Sequence, residues 1–469
     1  MRKEQRYRLE RDSLGEMKVP ADVYYGIQTL RALENFPVSG MKEEPEFIRA
    51  YVILKKAAAL TNMELGEISP EIGKAIVKAC DTILAHNEKF FPHFVVDVFQ
   101  AGAGTSFNMN VNEVIANLAL EMEGKEKGDY KTISPNDHVN RGQSTNDSFP
   151  TASHLAILFS LQDFFPVLKE TYQMFYKKAE EFKDVVKSGR THLQDAVPIT
   201  LGMEFHAYGK AVEVCYKEIK RKVSLLEELA IGGSAAGTGM NTHPEYRNRI
   251  IHWLKKETGF QLREAEDLCY AMQSRYGMTS LSSELKNLSL ELIRIANDLR
   301  LLSSGPTTGL SEISLPAVQP GSSIMPGKVN PVMAECLNMV AFEIVGNNET
   351  VSMASQAGQL ELNVMMPVMV YKILQSLKLL KNFLPVFNEK CLKGIKANEK
   401  RCLSYLEKNP SLATFLTPYI GYLKASEIAK YALERGQSVK ELVIEMGVLD
   451  KETVKRIFQK EYLVGKKKA

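Results

Sequence analysis

The sequence predicts a mainly α protein organised around a central bundle of very long helices, and three observations predict it. The nineteen prolines are unevenly spread, with none in 167–197, 199–243, 245–305, 332–366 or 419–469, and a helix interior tolerates proline worst of all residues. Several of these windows carry apolar residues at alternating steps of four and three, as at Leu281, Leu285, Leu288, Leu292, Ile295, Leu299 and Leu302, which is a heptad seam. Polar, turn-rich loops separate the windows, and strand-like alternation is scarce.

Taken in order, the chain divides into an N-terminal part, 1–142, a central long-helix part, 143–396, and a small helical C-terminal part, 397–469. The first opens on a charged run, Met-Arg-Lys-Glu-Gln-Arg-Tyr-Arg, with no apolar stretch behind it, so no signal peptide is expected. Short strands are expected around Tyr24-Tyr25 and over Phe94–Phe99. The central part repeats the seam at Leu161, Phe164, Leu168, Tyr172, Phe175, Ala179 and Phe182, with Pro166 as the expected kink. Phe205, Tyr208, Val212, Cys215, Ile219, Val223, Leu226 and Leu229 continue it. Seams this long bury more apolar face than one chain's bundle needs, which predicts self-association. The last part holds the turn pair Asn409-Pro410, helical patterns over Val439–Met446 and Glu452–Phe458, and a lysine-rich tail, Val464–Ala469, expected to be solvated.

Composition excludes several classes of function. A net charge of +3 on 469 residues argues for no nucleic-acid partner. The six cysteines lie far apart with no Cys-x-x-Cys pair, so neither a zinc ribbon nor a disulfide scaffold is expected, and a reducing, cytoplasmic setting is. No uninterrupted apolar run approaches the roughly 18 residues of a membrane span. No second His or Cys stands at ligand spacing from His192, so no metal is expected.

Chemistry-bearing residues fall in four loops. The densest is Gly321-Ser-Ser-Ile-Met-Pro-Gly-Lys-Val-Asn-Pro331, where hydroxyls, an ammonium and an amide crowd between two helical windows. In Gly102-Ala-Gly-Thr-Ser-Phe-Asn-Met-Asn110, Thr105, Ser106 and Asn108 stand at an expected helix start, as carboxylate donors or as an N-cap. Its Gly-x-Gly lacks the preceding strand and third glycine of a dinucleotide site. Ser144, Thr145 and Asn146 precede another helix; capping accounts for one of them, not three. The fourth loop, Gly189-Arg-Thr-His-Leu-Gln-Asp-Ala196, carries Thr191 and His192. Gly232–Gly239 has no P-loop ending and reads as a tight interhelical turn. Hydroxyls, amides, a histidine and a lysine suit a small anionic substrate, with no cofactor.

These four blocks, in their order along the chain, resemble the fumarase/aspartase superfamily from about Tyr7 to Tyr419-Ile-Gly-Tyr422. The resemblance implies a three-domain fold with a central long-helix bundle, a homotetramer with active sites shared between subunits, and elimination from a succinyl-type substrate to release fumarate. Ser144-Thr-Asn-Asp147, Ala21-Asp-Val-Tyr-Tyr-Gly26, Pro316-Ala-Val-Gln-Pro320 and Gly358-Gln-Leu-Glu-Leu-Asn-Val-Met365 lean to the aspartase branch. That branch implies deamination of L-aspartate. The alternatives are hydration of fumarate to L-malate and a non-catalytic structural member. By the same resemblance Ser322 is the base, while Thr105, Ser144, Thr145 and Ser323 hold the β-carboxylate. Thr191, Lys328 and Asn330 hold the α-carboxylate, Asn146 and His192 orient the amino group, and Glu335 supports His192. Ser304-Gly-Pro-Thr307 departs from the family's usual arginine at its last position.

Overall fold

The computed structural model describes residues 6–465; the first five residues of the charged N-terminal run and the lysines of the tail lie outside them. The chain is mainly helical and divides into two compact units, Met1–Phe165 with Lys217–Asn287 and Glu343–Leu380, and Pro166–Tyr216 with Leu288–Phe342 and Lys381–Ala469. Both units draw on the same five long helices, α5 (Thr145–Glu181), α6 (Leu201–Leu226), α8 (Tyr276–Leu302), α9 (Val332–Gln356) and α10 (Met366–Lys390).

The seams read from the sequence are the buried faces of these helices. Leu281, Leu285, Leu288, Leu292, Ile295 and Leu299 are all essentially inaccessible on α8, as are Leu161, Phe164, Leu168 and Phe175 on α5 and Phe182 just past its end. The α5 helix runs without interruption through Pro166. By length and hydropathy α5 is also the one described helix apolar enough to cross a membrane, and 67% of the window concerned is buried inside the protein.

In the first unit, β1 (Tyr7–Asp12) and β2 (Gly15–Pro20) form an antiparallel hairpin, Tyr7 opposite Pro20, followed by α1 (Ile27–Asn35). Proline opens both α2 (Pro45–Glu64) and α3 (Pro70–Ala85), at the first-turn position that lacks an N–H partner anyway. The aromatic core of Phe47, Tyr51, Phe107 and Phe149 joins α2 to α4 (Thr105–Met122) and the start of α5, with Phe47 at 5.2 Å from Phe107 and 5.0 Å from Phe149. Lys56 on α2 pairs with Glu257 on α7 (Tyr246–Thr258) at 2.8 Å.

The strand expected over Phe94–Phe99 does not form. Phe94, Val96 and Val98 are buried, but so is Asp97 between them, and the segment makes only an isolated bridge, Asp97 to Lys42. Tyr24-Tyr25 is likewise non-strand.

In the second unit, β3 (Val186–Thr191) and β4 (Gln194–Thr200) pair antiparallel, with a register shift between Ser188 and Arg190. Gly189 sits in that bulge, where a Cβ would meet the Val197 carbonyl oxygen at 2.6 Å. The helices α11 (Glu399–Lys408), α12 (Tyr422–Arg435), α13 (Val439–Glu445) and α14 (Lys451–Ile457) close a separate small core around Leu416, Ile428, Leu442 and Ile457.

Candidate active site

Thr105, Ser144, Thr145 and Asn146 belong to the first unit; Thr191, His192, Ser322, Ser323, Lys328, Asn330 and Glu335 belong to the second. In the first unit, α4 begins at Thr105 after a left-handed Gly104 with no side-chain cap. The capping role falls to Gln100, whose Oε1 accepts the Phe107 N–H at 2.8 Å. The Thr105 hydroxyl is therefore not a cap, and it borders a cleft of ≈ 1110 Å³ with Ser106, Gln28 and Arg31.

Ser144 does the capping at α5. Its Oγ accepts the Asn146 N–H at 3.2 Å, and its own N–H donates to Asp147 Oδ1 at 3.0 Å. That leaves Thr145 and Asn146, as the sequence argument required. The Thr145 Oγ accepts from Asn108 Nδ2 at 2.9 Å, and Asn146 Nδ2 donates to the Ala235 carbonyl at 2.8 Å. Asn108, from the α4 block, and Thr145, from the α5 block, are thus brought into contact.

Several residues missed by sequence reasoning hold this turn. Asp147 is fully buried and accepts the N–H groups of Gly232 and Ser234 as well as of Ser144. The Gly232–Gly239 stretch is therefore more than a turn: two of its N–H groups form a nest for the Asp147 carboxylate. Burial raises the Asp147 carboxyl to about 7 against the pull of these donors and of Lys55. Lys55, itself fully buried, donates to Asn140 Oδ1 at 3.0 Å and Gln143 Oε1 at 2.9 Å, and burial lowers its ammonium to about 7. A sequence signal existed: Lys55 shares the apolar stripe of Ile48, Tyr51, Val52 and Ala59, where a charge must find partners.

In the second unit, Thr191 and His192 ride at the tip of the β3–β4 hairpin. His192 and Leu193 both have positive φ, 56° and 59°, the signature of a tight two-residue connection. The body of the hairpin is pinned by a buried ionic cluster. Lys187 Nζ lies 2.8 Å from Glu204 and 2.7 Å from Glu312, whose second oxygen lies 2.9 Å from Arg190. Asn409 ties the two strands, donating to Ser188 Oγ and the Ala196 carbonyl. The tip itself is exposed, and among the described residues His192 makes no hydrogen bond or ion pair, Glu335 included.

The loop from Gly321 to Asn330 closes on itself: the Gly321 N–H donates to the Lys328 carbonyl at 2.9 Å and Asn330 Nδ2 to the Gly321 carbonyl at 2.6 Å. A Cβ at residue 321 would stand 2.3 Å from that Lys328 oxygen, so only glycine permits the closure. Inside it, Ser322 Oγ accepts two backbone N–H groups, from Ile324 at 3.2 Å and Met325 at 2.9 Å. Donors aimed at one oxygen stabilise negative charge there. Ser322, Lys328 and Gln319 line a cleft of ≈ 450 Å³, and the Ser323 hydroxyl and Lys328 are exposed. Thr307 is exposed too, in a segment held by Arg401, which donates to the Gly309 and Leu310 carbonyls. No cluster of three or more His, Cys, Asp or Glu suited to a metal occurs among the described residues.

Comparison with known proteins bears on the whole chain. A family model described as lyase matches residues 15–346, and one described as fumarase C C-terminus matches 412–465. The aspartate ammonia-lyase of Bacillus subtilis (strain 168) is 51% identical over 446 residues, covering 95% of this chain and 94% of that one. A fumarate lyase:delta crystallin of Brucella melitensis superposes with a TM-score of 0.94 at 47% identity, covering 98% and 99% of the two chains. A class II fumarase of Schistosoma mansoni superposes at 0.93 with 37% identity, again over 98% and 99%.

Proposed function

The chain belongs to the fumarase/aspartase superfamily of lyases, and from that premise we infer that it is a carbon–nitrogen lyase converting L-aspartate reversibly to fumarate and ammonia. The observation that carries this reading is the near-complete coverage by an aspartate ammonia-lyase at 51% identity, against 37% for the fumarase.

The difficulty of the reaction is the proton on Cβ, only weakly acidic beside a carboxylate. In our reading Ser322, as its oxyanion, removes it. The electron pair of the broken C–H bond passes into the β-carboxylate, giving an aci-carboxylate, then returns to form the double bond as the C–N bond breaks and ammonia leaves. The two N–H groups on Ser322 Oγ favour the oxyanion. Thr105, Ser144, Thr145 and Ser323 would donate to the β-carboxylate as its charge doubles, where each donor is worth most. Ser144 can do so while capping, because a hydroxyl accepts and donates at once. Thr191, Lys328 and Asn330 would hold the α-carboxylate, Asn330 with the amide N–H left over from loop closure. His192 and Asn146 would orient the amino group, with Glu335 supporting His192.

We further propose that the site is completed by other copies of the chain in a homotetramer. Supporting this, α9 exposes an apolar stripe at Met339, Phe342 and Met353, and α8 exposes Leu290 and Leu301. The three-part division at 142 and 396 belongs to the same proposal, as does a cytoplasmic location. The test is ultraviolet absorbance of fumarate formed from L-aspartate, with L-malate in parallel and the assembly's mass measured by light scattering. Fumarate from L-malate alone would overturn the deamination reading.

A further inference from the structure

The turn that carries Thr145 contains a chain of hydrogen bonds whose direction is fixed at one end. Lysine has donors and no acceptor when charged, and the neutral amine still has the two N–H bonds needed. Lys55 must therefore meet the oxygens of its two amide partners, Asn140 Oδ1 and Gln143 Oε1. The Asn140 amide is then held with its Nδ2 toward the Gln143 carbonyl, at 3.1 Å. Asn140 Oδ1 is the acceptor that Asn108 and Asn112 face, each through Nδ2 at 3.2 Å. With its oxygen turned away, Asn108 presents its other N–H to Thr145 Oγ at 2.9 Å.

A second observation supports this direction. The oxygens of Asn108 and Asn112 are buried with no hydrogen-bond partner among the described residues. Such an atom loses its bonds to water and gains none in return. Flipping either amide would set its oxygen against Asn140 Oδ1, so the network keeps two unpaired oxygens to preserve one polarity. Asn108 is 1% exposed and Lys55 is inaccessible, so water does not scramble the order.

We propose that Asn108 is a positioning residue that fixes the polarity of the Thr145 hydroxyl, forcing its oxygen to accept inside the protein so that its proton can only be given outward, to the substrate carboxylate. This rests on the reading of Thr145 as a carboxylate donor. Lys55 sets the direction and Asn140 transmits it. A hydroxyl free to turn would spend part of its time presenting a lone pair to an anion.

The test is a double-mutant cycle in the full assembly, with steady-state kinetics on L-aspartate. Thr145→Val alone should lower kcat/KM about 100-fold, mostly in kcat; an unchanged kcat/KM would remove the reading of Thr145 itself. Asn108→Asp puts an acceptor where the donor was and turns the hydroxyl proton inward. Asn108→Ala leaves the hydroxyl free to rotate. The expected order is therefore Asp worse than Ala, at about 50-fold and 10-fold losses, each shrinking below about 3-fold in the Thr145→Val background. A merely structural role for Asn108 gives losses that persist without the Thr145 hydroxyl in both variants, because a cavity and a buried carboxylate facing Asn140 Oδ1 each disturb the fold whatever residue 145 is. That result overturns the proposal while leaving Thr145 in place. Should Asn108→Asp fail to assemble, the Ala cycle decides by the same coupling.

Discussion

In the Asn140–Asp147 turn nearly every polar atom is committed within the chain, whereas in the Gly321–Asn330 loop the reactive ones are not. Asp147 takes three backbone N–H groups, and Asn140 Oδ1 three side-chain donors. The loop has its two closing bonds and the pair of N–H groups on Ser322, while Ser323 and Lys328 stand in solvent. One region is a rigid donor surface organised before any ligand arrives, and its partners lie as far away in sequence as residue 55. The other is local, built from its own ten residues. Donors that stabilise developing charge gain from rigidity; a base and a carboxylate clamp that admit substrate gain from access.

The largest expected effect lies in the loop. Ser322→Ala removes the oxygen on which two N–H groups converge, and kcat should fall by about 1000-fold or more. KM should move only a few-fold, and far-UV circular dichroism and assembly mass should not change. Near-normal turnover would remove Ser322 as the base and, with it, the division of labour between the two regions.

Next is Gly321→Ala, which tests whether the closure matters or only the residues inside it. The added methyl would collide with backbone at Lys328 and Asn330, so the loop must open. A misplacement of about 1 Å can cost 100-fold, and that is the expected loss in kcat/KM. Because Lys328 moves with the loop, KM should rise as well, unlike in Ser322→Ala.

The committed region should reveal itself in stability. His154 lies on α5 nine residues after Thr145, its Nδ1 3.1 Å from the Glu228 carbonyl, a bond that opposes the effect of burial because a charged ring donates there as well as a neutral one. Burial, helped by the nearby Arg275 charge, lowers its pKa from 6.5 to about 4. The unfolded chain then binds the extra proton between those values. Stability is fully present above 6.5 and is lost as pH falls toward about 4, by at most about 3 kcal/mol. His154→Gln should flatten the dependence of the thermal midpoint on pH across that window; an unchanged slope would show that other groups carry it.

How much of this was legible before the fold was known follows from the same contrast. The seams on α5, α6 and α8 were readable because helical burial is periodic along one chain. The Gly321–Asn330 loop was readable because its turn formers and its reacting groups are neighbours in sequence. The partners of Asp147 were not: Gly232 and Ser234 lie 85 and 87 residues on, and nothing local marks a glycine-rich turn as a carboxylate nest. The apolar residues over Phe94–Phe99 are buried, but so is Asp97 among them, and burial without a partner strand makes no sheet. The β3–β4 hairpin escaped because its tip reads His-Leu, where a hairpin ordinarily declares itself by Asn-Gly.

That tip gives the smallest and most specific prediction. Leu193 adopts φ of 59° and is 73% exposed, so it occupies a left-handed position without burying its side chain for compensation. An L-residue there costs about 1–2 kcal/mol, most of which glycine avoids. If the hairpin were only structural, Leu193→Gly would be simply favourable. If the conformation serves to present His192, relaxing residue 193 should let the imidazole wander. The expected result is a rise of about 1–2 °C in Tm together with a two- to five-fold loss in kcat/KM, about 0.4–1 kcal/mol. A stabilised variant with unchanged kinetics would mean that the ionic cluster of Lys187, Arg190 and Glu312 orients the tip unaided. The hairpin would then belong with the committed region and not with the open loop.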